Sequence, residues 1–308
     1  MNPAYSVLLF TTASGAGYGM MALLGLVGIA HGRASSLAFA ATTMIVALAL
    51  VTIGLLSSTF HLGHPERAWR AFSQWRSSWL SREGVLAVVT YPAAFIFALV
   101  WSGFVDCPAA IAPLGALLAV LCAATVYCTG MIYASLKTIP QWRHPLTVPV
   151  YLAFAVATGA CLLSVLALPF GRLQPVQLMI SGIAVIAVIV LKLAYWRSID
   201  AAPRRHSMGD ATGLGTDVRQ WEVPHTATNF VQKEMGFTVA RRHARKLRGI
   251  VLALLCLALL AVALAYLLWL PLVAIAALAA LAAAAFERWL FFAEATHVVN
   301  LFYGLERA

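Results

Sequence analysis

Eight stretches of apolar residues, each long enough to cross a bilayer as an α-helix, constrain this chain more than any other feature. They run approximately over residues 5–30, 37–60, 85–104, 111–136, 148–168, 176–195, 250–269 and 272–292. A hydrocarbon core is spanned by about 20 helical residues. The last two stretches meet at the tight turn Trp269-Leu270-Pro271, and together they are too long for one crossing. Composition agrees, because 62% of the 308 residues are hydrophobic and 10% are charged, against roughly 25% charged in soluble domains. The expected fold is an all-α integral membrane protein, an eight-transmembrane-helix bundle with no soluble catalytic domain of its own. The start Met1-Asn2-Pro3-Ala4-Tyr5 lacks a basic leader, so the first stretch is expected to be a retained helix.

Charge sets the expected orientation. With loop one following the first helix, loops two, four and six carry sixteen Lys and Arg, whereas the odd loops carry only Arg33 and Arg172. Basic loops stay in the cytoplasm, so the even loops and both termini are predicted to be cytoplasmic, N-in and C-in. The net charge of +10 therefore reports topology. A nucleic-acid protein would spread its cations along an accessible face, and no nucleic-acid partner is expected. Loop six, residues 197–248, is the one long polar segment and ends in Arg241-Arg242-His243-Ala244-Arg245-Lys246-Leu247-Arg248. It suits anionic lipid headgroups, and it is long enough to dock a partner. The five cysteines include no CxxC pair and no ligand cluster. No metal site, c-type haem or iron–sulfur cluster is expected in this chain.

Ionisable residues inside or at the edges of spans are costly, and so are candidates for function. His61 ends the second helix on the cytoplasmic face, and Arg82 and Glu83 open the third from the same face. Lys137 ends the fourth helix and Lys192 nearly ends the sixth. On the eighth, Glu287 and Arg288 lie about 22–24 Å from its outer end. Glu294, His297 and Asn300 follow at the inner interface. Glu287 and Glu294 are seven residues apart and share a helical face. Lys192, Arg172 and Arg307 read as cations snorkelling to water. His61 and Glu83 read as functional, because they bracket His64, Arg67, Trp69, Arg70, Trp75, Arg76 and Trp79. A headgroup belt accounts for those Trp and Arg residues, but not for a titratable His and Glu at its two ends. Quinone chemistry moves two protons with each two-electron step, and a His beside a carboxylate can carry them.

The run His61-Leu62-Gly63-His64-Pro65-Glu66-Arg67-Ala68, followed by Ser77-Ser78-Trp79-Leu80-Ser81-Arg82-Glu83, resembles the membrane-anchor subunits of the dimethyl sulfoxide reductase type. Tyr133, Lys137-Thr138-Ile139-Pro140 and Trp142 look like that family's loop-four signature. The resemblance covers essentially the whole chain as a single membrane-anchor domain, residues 1–308, with loop six longer than expected. It implies the same count of eight helices, a quinone site, and docking of a four-cluster iron–sulfur subunit joined to a molybdopterin catalytic subunit. Molybdopterin and the 4Fe–4S clusters would belong to those partners alone. His61 and Glu83 would act at the quinone site, with His64, Arg67, Arg82 and Glu287 completing the expected binding set. The charge bias places the His61 loop in the cytoplasm. The N-terminal Thr11-Thr12-Ala13-Ser14-Gly15-Ala16-Gly17-Tyr18-Gly19 and the ending Glu287-Arg288-Trp289-Leu290-Phe291-Phe292 look most like anchors of cytoplasm-facing sulfite dehydrogenases. The expected role is transfer of electrons from sulfite oxidation to ubiquinone or menaquinone, in a bacterial inner membrane, without catalysis on sulfite by this chain.

Three alternatives remain open at this point. A quinol-oxidising anchor of a reductase would run the electrons the other way. A b-haem anchor needs two His on facing helices, for which His61, His64, His144 and His297 are the candidates. A transporter would show repeats and a broken midplane helix. No repeat is evident, and Gly15, Gly17, Gly19 and Gly25 read as close helix packing.

Overall fold

The structure is a computed structural model that describes residues 4–60, 63–202, 207–215, 218, 221–222, 227, 229 and 239–303. Its eight long helices are α1 (Tyr5–His31), α2 (Leu37–Thr59), α3 (Trp79–Trp101), α4 (Pro108–Ala134), α5 (Thr147–Ala167), α6 (Pro175–Ala201), α7 (Val239–Leu267) and α8 (Val273–Glu294). All eight are long and apolar enough to cross a membrane. No β-strand forms among the described residues. The apolar stretch around Pro271 is two helices, separated by a 3-10 turn at Leu270–Leu272. With eight crossings, loops two, four and six and both chain ends share one face, called the basic face below.

Helix ends follow local chemistry. Ser36 caps α2 by accepting from the Phe39 amide, and Ser78 caps α3 by accepting from the Ser81 amide. Pro108 and Pro175 open α4 and α6, where a missing N–H costs nothing. The Ser78 cap starts α3 at Trp79, six residues earlier than hydropathy predicts, so Arg82 and Glu83 already lie in helix. At its far end α6 runs on to Ala201, and Asp200 in its last turn pairs with Arg248 at 2.6 Å.

The bundle is held by backbone approach as well as by side chains. α1 packs on α4 and α5, α3 on α4, α5 on α6, and α7 on α8. Gly25 and Gly115 sit face to face, and a Cβ on Gly25 would fall 2.4 Å from the Gly115 carbonyl oxygen. At Gly19 it would fall 1.8 Å from that of Ala155. Lipid gives helices no hydrophobic reason to associate, so small residues that permit such contact drive the packing. Gly17, Gly19 and Gly25 are therefore helix–helix contacts, as expected, whereas Gly15 has open space where a Cβ would lie and does not take part.

Candidate functional site

The polar residues of the spans gather in the part of the bundle nearest the basic face. Glu83, in the second turn of α3, is buried. Thr129 on α4 lies against its carboxylate, as donor to Oε1. The Thr129 hydroxyl also reaches the Thr125 carbonyl at 3.1 Å.

A second group lies across the bundle. Lys192 on α6 and Glu287 on α8 form an ion pair, Nζ to Oε1, at 2.7 Å. Arg288 Nη1 lies 3.1 Å from Glu287 Oε2, and its guanidinium carbon is 3.4 Å from the Tyr151 ring centre. Lys192 Nζ is also 4.2 Å and 4.6 Å from the ring centres of Tyr195 and Trp196. The side chains of Lys192, Glu287 and Arg288 are at most 3% exposed. Two cations thus share one anion in an apolar interior, with aromatic faces as the remaining counter-surface. The expectation that Lys192 snorkels to water is overturned. Its partner lies 95 residues away in the chain, and the ammonium points into the bundle.

Between the two groups lies a small polar cavity, lined in part by Thr11, Thr12, Ser14, Thr129, Tyr151 and Arg288. It has room for about one water molecule. The α1 wall of this cavity is a π-helical segment, Phe10–Ser14, a rare geometry that recurs at functional sites. There Thr11, Thr12 and Ser14 bond back to the carbonyls of Val7, Leu8 and Phe10 at 2.9, 2.7 and 2.6 Å. The buried Tyr151 hydroxyl, Arg288 Nη1 and Glu287 Oε2 make no well-formed hydrogen bond among the described residues. Groups of this kind are ordinarily satisfied by water or a ligand.

His64, Arg67 and Arg82 lie at the surface of the basic face. His61 lies outside the described residues. Residues Pro65–Gln74 form an exposed 3-10 segment. On it His64 Nδ1 meets Glu66 Oε1 at 3.0 Å, and Arg67 Nε lies 3.6 Å from the same oxygen. Arg82 turns away from Glu83, donates to the carbonyls of Trp75 and Arg76 at 2.9 and 2.6 Å, and stacks 4.2 Å over Trp79. It therefore ties the surface segment to α3. Glu83 and Glu287 are the two candidates in the interior, on opposite sides of the cavity.

Loop four closes the same region from the basic face. Trp142 Nε1 donates to the Phe291 carbonyl at 2.9 Å, and Tyr195 to that of Gln141 at 2.9 Å. Tyr133, Trp142, Tyr151, Phe291 and Phe292 form one aromatic cluster above Arg288. His144 accepts from the Leu146 amide and meets Ser198 at 2.8 Å, so both ring nitrogens are engaged. Burial, with the nearby Lys192 charge, lowers its pKa. Burial also lowers that of His297, whose Nδ1 accepts from the Val299 amide. Among the described residues no histidine occupies the interior of a span. Much of loop six lies outside the described residues. Its short helix Met208–Thr212 packs near the C-terminal 3-10 segment Val298–Tyr303.

Sequence reasoning misassigned Lys192 and overlooked Thr129, Tyr151 and the π segment. A cation in an otherwise apolar run is the one signal that points to Lys192. Nothing in the local pattern marks the other three.

An eight-span bundle with its polar interior gathered under one membrane face is a multi-pass membrane subunit built to work at that face. The chain belongs to the DMSO reductase anchor family: the family model described as DMSO reductase anchor subunit (DmsC) matches residues 1–305. It is also 32% identical over 327 residues to the C subunit of the sulfite dehydrogenase of Allochromatium vinosum, covering 98% of this chain and 99% of that protein. It is thus a membrane-anchor subunit of an oxidoreductase, and membership of the family implies catalytic and iron–sulfur partner subunits.

Proposed function

We propose that this chain is the quinone-reactive anchor of a molybdopterin-dependent sulfite dehydrogenase in a bacterial inner membrane. It passes electrons from a four-cluster iron–sulfur subunit on the cytoplasmic side to the quinone pool. The observation that carries the reading is Glu83, buried beside Thr129 directly behind the surface segment that begins at Gly63. A carboxyl held there can receive or give a proton to a quinone oxygen within the membrane. The similarity to a sulfite dehydrogenase subunit supports sulfite as the partner's substrate. The basic even loops support a cytoplasmic working face.

The chemistry balances across the complex. Sulfite and water become sulfate, two electrons and two protons on the catalytic partner. Quinone takes two electrons from the iron–sulfur partner, with two protons, to become quinol. The side chains of this chain supply and replace the protons. Glu83 and His61 are the proton carriers in this reading. His64, Arg67 and Arg82 shape the surface segment under which the partner docks. In this reading the ring binds beside Glu83, since the polar cavity has room for only about one water molecule.

The assembled complex tests this directly. His61→Ala and Glu83→Gln should each lower sulfite-driven quinone reduction by about a hundredfold or more, with sulfite-driven dye reduction and subunit assembly unchanged. Undiminished quinone reduction in both variants overturns the assignment. Faster quinol oxidation than quinone reduction in the wild-type complex would assign the reductase direction instead.

A further inference from the structure

We infer that Thr129 is a positioning residue of the quinone site: its hydroxyl holds Glu83 by Oε1 and leaves Oε2 as the oxygen that exchanges protons. The inference rests on the proposed quinone chemistry at Glu83. It gives a role to a residue of α4 that neither family membership nor the quinone reading assigns.

Glu83 needs a reason to point inward. It lies in the second turn of α3, close to the basic face, and glutamate has much rotamer freedom. Burying a charged group is costly unless it is bonded, yet Glu83 is only 4% exposed. No cation accounts for this. Arg82 is engaged with the carbonyls of Trp75 and Arg76 and with the Trp79 ring. Lys192 and Arg288 are committed to Glu287. Among the described residues, Thr129 is the one side chain that bonds to Glu83.

Thr129 is itself held in place. A helical threonine can set its hydroxyl against the carbonyl one turn back, and that of Thr129 lies 3.1 Å from the Thr125 carbonyl. The rotamer that makes this contact is the one that meets Oε1. Thr129 is buried, and α4 packs closely on α3. The bundle therefore fixes the hydroxyl, and the hydroxyl fixes the carboxyl.

A neutral donor suits a group that must gain and lose a proton. A cation in that place would favour the ionised carboxylate alone. A hydroxyl can donate to Oε1 whether the carboxyl is ionised or protonated on Oε2, so the side chain exchanges its proton without turning. Each transfer from Oε2 to a reduced quinone oxygen breaks one O–H bond and forms another. The electrons come from the iron–sulfur partner, and a proton from the cytoplasmic side restores the carboxyl.

The test compares variants of the assembled complex. Thr129→Val keeps the side chain's shape and removes the hydroxyl. It should lower kcat for sulfite-driven quinone reduction by about tenfold or more. KM for quinone, and sulfite-driven dye reduction, should stay within about twofold of wild type. Thr129→Ser returns the hydroxyl and should restore most of the lost rate. Because Thr129 acts through Glu83, adding Thr129→Val to Glu83→Gln should slow quinone reduction by no more than about twofold beyond Glu83→Gln alone. A residue that only supports the bundle would add its own loss. If Thr129→Val does not assemble, Thr129→Ala removes the same hydroxyl and is read in the same way. If neither assembles, Thr129 serves the fold and the inference falls. An unchanged kcat without the hydroxyl, a Thr129→Ser variant as slow as Thr129→Val, or a full added loss in the double variant also overturns it. If Glu83→Gln alone still abolishes quinone reduction in those cases, the quinone site stands without Thr129. If Glu83→Gln has no effect, the underlying reading falls as well.

Discussion

The surface segment from Gly63 to Arg82 and the interior from Glu83 to Lys192 are built from similar residues in opposite ways. In the surface segment, charged groups bond to near neighbours in sequence: His64 to Glu66, Arg67 to Glu66, and Arg82 to Trp75 and Arg76. In the interior, the contacts that tie the elements together cross the bundle: Thr129 to Glu83, Lys192 to Glu287, and Trp142 to Phe291. The first arrangement is exposed, so water screens each pair and substitutes for it when it is lost. The second is sealed from water, so each partner depends on the other. The same side-chain chemistry is thus cheap to rearrange at the surface and costly to disturb inside.

The sharpest way to break this comparison is to remove one partner of the buried pair. Lys192→Ala leaves Glu287 with Arg288 alone and should destabilise the detergent-solubilised chain by about 3–5 kcal/mol, read as a lowered thermal midpoint or loss of assembled protein. A loss of under about 1 kcal/mol, the usual range of a surface pair, would show that water reaches Lys192.

That prediction also marks the limit of what the sequence can show. The eight spans were legible because a bilayer demands about 20 apolar residues, and little else produces such runs. The break at Pro271 and the α1 packing glycines were legible for similar local reasons. Glu83 and Glu287 stood out as carboxylates in apolar surroundings. Lys192 was misread, because a lone cation near a span end looks the same whether it reaches water or a distant carboxylate. The π segment leaves no trace at all: Thr11, Thr12 and Ser14 form an ordinary polar patch until α4, α5 and α8 close around it. Pairing between helices is set by the packing of the whole bundle, which no window of one sequence contains.

A smaller effect is expected where loop four meets α8. Phe291 belongs to the last turn of its helix, where carbonyls lack intrahelical donors, and Trp142 Nε1 supplies the missing one. Trp142→Phe keeps most of the aromatic stacking but leaves that buried carbonyl without its bond. The expected cost is about 1–3 kcal/mol, visible as a modest drop in thermal midpoint with normal membrane insertion. A larger drop would show that the indole ring's packing against Phe291 and Phe292, not its N–H, holds loop four in place.

The smallest effect belongs to the surface segment. Glu66→Ala removes the oxygen shared by His64 and Arg67, whose side chains are 66% and 56% exposed. Exposed pairs of this kind contribute about 0.5 kcal/mol or less, so thermal stability should not change measurably. The substitution does alter charge on the loop proposed to face the iron–sulfur partner. Long-range attraction between exposed charges weakens as salt rises, so any effect on complex assembly should be strongest at low ionic strength and fade at high. A stability loss comparable to that of Lys192→Ala would erase the distinction between the two regions. Unchanged assembly at every salt concentration would leave the surface segment as a membrane-interface belt and move partner docking to loops four and six.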